Sequence, residues 1–190
     1  MLATIKSGEA AARRDYRMQL VAERLSGRPQ DDDYVNAAMQ RGIELEPMAR
    51  SAFELLTGKV VRECGFLAHS SLMAGCSLDG YLGDFEELVS LKCPKTATHL
   101  GYWRAGIMPA AYVPQMLAEC WITGARRYHF VSYDDRLPDG LQAFHTVRLV
   151  TDAEVEGFER SALAFLAEVD RECGELEAMV LADADKVVTA

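Results

Sequence analysis

The chain has 190 residues, of which 49% are hydrophobic and 26% charged, a balance typical of one folded domain with a sizeable core. It contains no apolar run of about 18 residues, and its first residues lack the pattern of an export signal, so we expect a cytoplasmic protein without a membrane span. Its five cysteines form no C-x-x-C pair, which argues against a disulfide framework and a cysteine zinc site.

The net charge of −9 is unfavourable for binding nucleic acid, but it is unevenly distributed. Residues 151–190 carry 3 basic and 11 acidic side chains, a net charge of −8. Residues 1–150 carry 17 basic and 18 acidic side chains, a net charge of −1. The net charge therefore does not exclude a local basic surface outside the acidic C-terminal segment.

Two helices are predicted at the start of the chain. Residues 9–26 form an amphipathic pattern that stops at Ser-Gly-Arg-Pro. The second helix begins near Tyr34 and ends at Thr57-Gly58, and Pro47 inside it predicts a kink or a new helix start. Its core-facing residues are expected to be Ala49, Ala52, Phe53 and Leu56.

The pattern then changes to short β-like runs separated by glycines. We predict strands near residues 59–67, 73–77, 79–83, 86–92, 127–133 and 143–150. Further helices are predicted from Thr96, as N-cap, to about Ala105, and over residues 110–123. The final helix follows a capping box at Thr151–Glu154 and carries one apolar stripe.

This order predicts an α/β fold with a central mixed β-sheet flanked by helices. We expect a single domain over residues 1–190. It would comprise N-terminal helices (1–58), the sheet and functional site (59–150) and an acidic C-terminal helix (151–190).

The segment CSLDGYLGDFEELVSLKCP, residues 76–94, carries the residues most suggestive of chemistry. Side chains alternate along a strand, so residues 90 and 92 face the same way, beside a site to which Asp79 could contribute. A carboxylate and a lysine together suit metal-dependent phosphodiester hydrolysis. Taken alone, however, Asp79 in Asp-Gly is typical of a turn, and Lys92 is typical of a solvated strand end.

Three motifs in order resemble the lambda-exonuclease or YqaJ-like phage recombinase family of PD-(D/E)XK nucleases. They are RGIELEPMARSAFELLTGKVV, CSLDG with VSLKCP, and YVPQMLAECWITGARRYHFVSYD. The similarity runs from about Arg41 to Tyr133 and less specifically through the last helix. It implies a restriction-endonuclease-like core.

The resemblance also implies site residues. Asp79 matches the central metal-binding aspartate and Lys92 the catalytic lysine, while Leu91 would offer its main-chain carbonyl to Mg²⁺, or to Mn²⁺ as a substitute. Glu46 matches a helical glutamate on the metal side of the site, and Gln115 a glutamine that supports it. Glu46 as a helix-start acid and Gln115 as a surface residue remain alternatives.

Ser90 departs from the family pattern, which has Glu or Asp there. A serine hydroxyl removes a negative charge from the metal site and cannot act as a base near pH 7. Glu86 is too distant along the strand and Glu87 faces the other way. Glu119, on the same helical face as Gln115, is a conceivable substitute. The sequence does not distinguish a natural serine from an engineered one.

The family's segment that binds the terminal phosphate, upstream of the first helix, is expected to be missing or replaced. DNA-contacting residues are predicted after Lys92, with a solvated helix face as the alternative: Lys95, Thr96, Thr98, His99 and Arg104. Arg13, Arg14 and Arg17 share a helical face that we interpret as solvated rather than DNA-bound. Tyr102 and Trp103 are expected in the core, and His69, His129 and His145 receive no role.

The resemblance implies a Mg²⁺-dependent exonuclease of double-stranded DNA ends, acting 5′ to 3′ in phage-type recombination. It further implies a partner protein that anneals single strands and a homotrimeric ring. The alternative is a catalytically silent module that binds DNA ends or a recombination partner with the same fold. A metabolic enzyme with a nucleotide cofactor fits poorly, because the sequence has no G-x-G-x-x-G or Walker-type loop.

Overall fold

The computed structural model describes residues 10–30 and 37–188, with side chains described as far as residue 182. The chain divides into two compact units, one of Met1–Asp33 with Glu159–Ala190 and one of Tyr34–Phe158. Among the described helices, none is long and apolar enough to cross a membrane.

The described helices and strands follow the predicted alternation. The helices are α1 (Ala11–Ser26), α2 (Ala37–Thr57), α3 (Thr96–Ala105), α4 (Val113–Thr123) and α5 (Asp152–Val188), with a 3₁₀ turn at Ala110–Tyr112. The strands are β1 (Phe66–Ala68), β2 (Gly75–Ser77), β3 (Gly80–Leu82), β4 (Glu87–Lys92), β5 (Arg127–Tyr133) and β6 (Ala143–Leu149).

The unit of Tyr34–Phe158 is built on a four-stranded mixed sheet in the order β3-β4-β5-β6. β4 and β5 are parallel, whereas β3 with β4 and β5 with β6 are antiparallel. β1 and β2 form a separate antiparallel pair. The predicted mixed sheet flanked by helices is confirmed.

Both faces of the sheet are covered by helices, which explains the nearly unbroken apolar sequence of β4. One face packs against α4 through Leu88, Tyr128, Phe130, Met116 and Cys120. The other packs against α2 through Val89, Leu91, Val131, Ala49 and Phe53. Successive residues of β4 therefore face opposite layers, and the Ser90 side of the strand faces α4.

The structure corrects several element predictions. Most of the strand expected at 59–67 is irregular, with an isolated bridge at Arg62 and regular pairing only from Phe66. α2 continues through Pro47 without restarting, because Leu45 and Ala49 are buried on either side of the proline and hold the helix on the sheet. Leu56, expected in the core, is 59% exposed.

Helix ends are only partly as predicted. Thr151 and Glu154 form the expected capping box, since Thr151 N donates to Glu154 Oε2 at 2.9 Å. At α3, however, the N-cap residue is Lys95, and it makes no side-chain capping bond. Thr96 is already helical, and its side chain helps to lower the pKa of Asp134, so the predicted Thr96 cap is wrong.

In the unit of Met1–Asp33 and Glu159–Ala190, α1 packs on the C-terminal part of α5. Val21, Phe165 and Val169 form its small core. Arg13 binds Glu168 with two bonds of 2.7 and 2.9 Å, and Arg17 binds the same carboxylate at 3.0 Å. Arg13 and Arg17 therefore hold α5 instead of forming the solvated face predicted for them.

Candidate active site

Asp79 and Lys92 converge at the start of β3 and the end of β4. Lys92 Nζ donates to Asp79 Oδ2 at 3.1 Å, and the same oxygen accepts from Leu91 N at 2.8 Å and Ser90 Oγ at 3.1 Å. The antiparallel register, which pairs Gly80 with Val89, brings Asp79 beside residue 90. The predicted shared pocket is present, whereas the catalytic roles stay predictions.

Gly80 explains why Asp-Gly occurs here. It is the first residue of β3 and does not form a hairpin turn with Asp79. A Cβ at this position would lie 2.3 Å from Val61 Cγ1, so only glycine lets β3 approach the preceding segment. The turn interpretation of Asp79 therefore does not hold in this structure.

An open cleft of about 610 Å³ lies at Lys92. Its lining includes Glu46 of α2, Leu91, Lys92 and Tyr112. Arg50 Nη2 donates to Glu46 Oε1 at 2.8 Å. Burial, followed by the Asp79 carboxylate, raises the pKa of Glu46, while Arg50 opposes the shift. The structure thus brings Glu46 to the cleft that holds Lys92.

The side chain of Gln115 is hydrogen-bonded to a neighbouring carboxylate. Its Nε2 donates to Glu119 Oε1 at 2.7 Å, and Tyr128 OH donates to Glu119 Oε2 at 2.8 Å. Ser90 lies close enough to the Tyr128 hydroxyl to lower its pKa, although burial raises that pKa overall. Gln115 is therefore half-buried and bonded to Glu119, while its support of the site stays a prediction.

Glu119 is 4% exposed, and burial is the main cause that raises its pKa. Asp79 raises this pKa further, while the bonds from Gln115 and Tyr128, and the charge of Lys92, lower it. The charges of Asp79 and Lys92 therefore both act on the Glu119 carboxylate. Tyr128 was missed from the sequence, because only the β4–β5 register shows that it shares a sheet face with Ser90.

The predicted DNA-contacting residues separate into two groups. Lys95, Thr98 and Arg104 are exposed. His99 is fully buried, with Nδ1 2.7 Å from Ser132 Oγ and Nε2 2.8 Å from Leu141 O, so its prediction as a DNA contact is wrong. Thr96 is engaged with Asp134. Both ring nitrogens of His99 have hydrogen-bonding partners, Ser132 in β5 and Leu141 just before β6. These partners satisfy the polar atoms of the buried ring.

A second polar cluster lies on the opposite sheet face and was not predicted. His129 Nδ1 is 2.9 Å from His145 Nε2, and Lys59 Nζ donates to Glu87 Oε2 at 2.6 Å. His129 also contacts Glu87, which links the two pairs. Local sequence indicated no partner for these histidines, because only the strand register shows that β5 and β6 are adjacent.

Metal-binding capacity is limited by the spacing of the acidic groups. Within residues 10–30 and 37–188, no group of three or more His, Cys, Asp and Glu side chains is arranged to hold a metal ion. Asp79 nevertheless provides a carboxylate that is bonded to Lys92, and Lys92 and Glu46 both line the cleft. Such oxygen donors match the chemistry of Mg²⁺, which keeps several waters and is commonly held by one or two carboxylates.

Comparisons with known proteins agree with the fold and the motifs. The YqaJ-like viral recombinase domain matches residues 3–126. None of the curated proteins compared with the chain matches it.

Solved structures match over most of the chain. An alkaline exonuclease from Laribacter hongkongensis is 39% identical with a TM-score of 0.84, over 93% of this chain and 89% of that one. Its complex with dAMP gives the same identity and TM-score over 92% and 88%. A phage related exonuclease from Haemophilus somnus is 13% identical with a TM-score of 0.67, over 92% and 91%, and supports the fold alone. The chain therefore belongs to the YqaJ-like viral recombinase domain family.

Proposed function

We propose that the chain is a Mg²⁺-dependent exonuclease that degrades double-stranded DNA from its ends. The observation that carries this proposal is the convergence of the Asp79 carboxylate and the Lys92 ammonium, 3.1 Å apart, beside the open cleft. The likeness to an alkaline exonuclease that is 39% identical supports a nuclease, and its complex with dAMP supports a nucleotide ligand.

Asp79, Glu46 and the Leu91 carbonyl are the groups proposed to hold Mg²⁺, or Mn²⁺ in its place. When bound, such an ion neutralises phosphate charge and lowers the pKa of a coordinated water. The oxygen donors of the cleft fit this ion better than a soft thiophilic metal. The Asp79 hydrogen bonds converge on Oδ2, and Oδ1 takes none from the described residues.

Lys92 supplies a positive charge at the bottom of the cleft. Its ammonium is held by Asp79 and lies 5.8 Å from the centre of the Tyr112 ring. From there it can offset negative charge on the scissile phosphate and help to orient it. Ser90 is neutral near pH 7, so it can donate a hydrogen bond to Asp79 but cannot remove a proton from water.

The family supports further proposals about the reaction's setting. We propose that digestion proceeds 5′ to 3′ and that a partner protein anneals the exposed 3′ strand. We also propose a homotrimeric ring around the duplex in the cytoplasm, where enclosure would give processivity. Membership of a viral recombinase family supports this role in phage-type recombination.

A cleavage assay tests the activity. Blunt duplex DNA labelled at either the 5′ or the 3′ end is incubated with Mg²⁺ or Mn²⁺, and nucleotide release is timed. We expect 5′-terminal nucleotides first, and a fall in rate of at least about 100-fold for Lys92→Met and Asp79→Asn, as for the loss of a catalytic group. Lys59→Met is the matched control, because Lys59 pairs with Glu87 on the opposite sheet face.

A second candidate function is a catalytically silent module that binds DNA ends. It is favoured by Ser90, because the family pattern places an acid at this position. Comparing the chain with Ser90→Glu separates the two functions. Cutting by both forms supports the exonuclease with another carboxylate in use, whereas cutting by Ser90→Glu alone supports the silent module. If neither folded form cuts, the nuclease proposal is refuted.

A further inference from the structure

Glu119 is a buried carboxylate whose charge lacks a basic partner. It is 4% exposed, and its two oxygens accept one bond each from neutral groups, the Gln115 amide and the Tyr128 hydroxyl. Across residues 10–30 and 37–188, no lysine, arginine or histidine forms an ion pair with it. Burying an unpaired carboxylate is unfavourable, and buried charges are normally paired or bind metals.

A short series of polar groups leads from this carboxylate towards Asp79. Tyr128 OH donates to Glu119, Ser90 lies close enough to lower the pKa of Tyr128, and Ser90 Oγ donates to Asp79 Oδ2 at 3.1 Å. Ser90 and Tyr128 belong to the sheet face that packs on α4. Glu119 thus approaches from the helix the region that a longer acidic side chain at residue 90 would enter from the strand.

We propose that Glu119 contributes a carboxylate to the divalent-cation site, in place of the acid that the family pattern has at residue 90. This inference rests on the proposed function and deepens it. Gln115 is a positioning residue, because its amide holds one Glu119 oxygen. The serine at 90 is part of the same arrangement, because it bonds Asp79 without adding a further negative charge.

This arrangement has a consequence for stability that a merely structural glutamate would not show. Without a cation, the unpaired charge of Glu119 opposes folding, so Glu119→Gln is expected to melt at the same or a higher temperature than the wild type. With Mn²⁺, the wild type is expected to gain more thermal stability than Glu119→Gln, because ligand binding to the folded state stabilises it.

The test measures Mn²⁺ binding by the full chain, using calorimetry and electron paramagnetic resonance, beside the DNA cleavage assay. We expect Glu119→Gln to weaken Mn²⁺ binding by about 10–100-fold, the range seen when supporting groups at metal sites are lost. The double variant Ser90→Glu/Glu119→Gln is expected to recover binding and cleavage. Glu175→Gln is the matched control, because it removes one exposed carboxylate from α5.

Each outcome decides the inference. Wild-type Mn²⁺ affinity in folded Glu119→Gln would overturn it, and with cleavage intact the proposed function would stand. A double variant that folds but recovers neither binding nor cleavage would also overturn it, since Glu119 would not be replacing an acid at 90. If Glu119→Gln does not fold, Glu119→Asp serves instead, and unchanged Mn²⁺ affinity in that shortened variant would overturn the inference.

Discussion

Gly80 couples the packing of β3 to the position of Asp79. Its Cα lies so close to Val61 that an added Cβ would be 2.3 Å from Val61 Cγ1, and Val61 is itself buried. The preceding residue, Asp79, is bonded to Leu91 N and Ser90 Oγ of β4. A methyl group at residue 80 would therefore strain both the packing and the candidate site.

We predict that Gly80→Ala lowers the free energy of unfolding by about 1–3 kcal/mol, the usual effect of overpacking. Urea unfolding followed by circular dichroism measures this change. Gly101→Ala is the control, because nothing lies within 4 Å of the added Cβ inside α3. That control is expected to gain up to about 1 kcal/mol from better helix propensity. Equal stability of Gly80→Ala and wild type would contradict the packing argument.

At the scale of elements, β5 and β6 bring together His129 and His145, whose rings stack with centroids 5.1 Å apart. Burial, His129 and Lys59 lower the pKa of His145 from its ordinary 6.5 to about 4. As the pH falls, His145 is therefore protonated near pH 6.5 in the unfolded chain but only near pH 4 in the folded chain. Stability from this group is full above pH 6.5 and declines as the pH falls towards 4.

We predict that His145→Gln flattens the decline in unfolding free energy over this acidic range. The measurement is urea unfolding at a series of pH values at constant ionic strength. Glu87 of β4 contacts His129, so both groups remain in the variant. Any pH dependence of the unfolding free energy that the variant keeps therefore includes the contribution of this pair. A slope as steep as that of the wild type would refute the role of His145.

Local sequence patterns predicted the helices and strands better than they predicted which residues of different strands contact each other. The β-like run of β4 and the motif around Lys92 sufficed to predict a strand with Asp79 nearby. The irregular segment before Phe66 could not be predicted, because its composition is β-like although it forms only an isolated bridge, at Arg62. Tyr128, His129 and His145 gained their contacts from strand register, which tertiary packing decides and local sequence does not.

For the whole molecule, charge sets the conditions for binding DNA. The unit of Tyr34–Phe158 contains every candidate site residue and carries 11 basic and 15 acidic side chains, a net charge of −4. This balance provides little general attraction for a polyanion. Binding must therefore depend on a few local contacts. Exposed candidates are Lys95, the N-cap residue of α3, and Arg104 in the last turn of that helix.

We predict that Lys95→Ala weakens duplex binding and lowers the slope of log affinity against log salt by about 1, the contribution of one phosphate contact. Binding is measured by fluorescence anisotropy in Mg²⁺ on a Lys92→Met background, which prevents cleavage under the proposed mechanism. Arg171→Ala on the same background removes an exposed positive charge from α5 and is expected to keep the slope. If both variants lower the slope equally, the effect follows net charge, and Lys95 does not contact the phosphate backbone. If only Lys95→Ala does, the DNA path passes along the N-terminal end of α3, beside the cleft that holds Lys92.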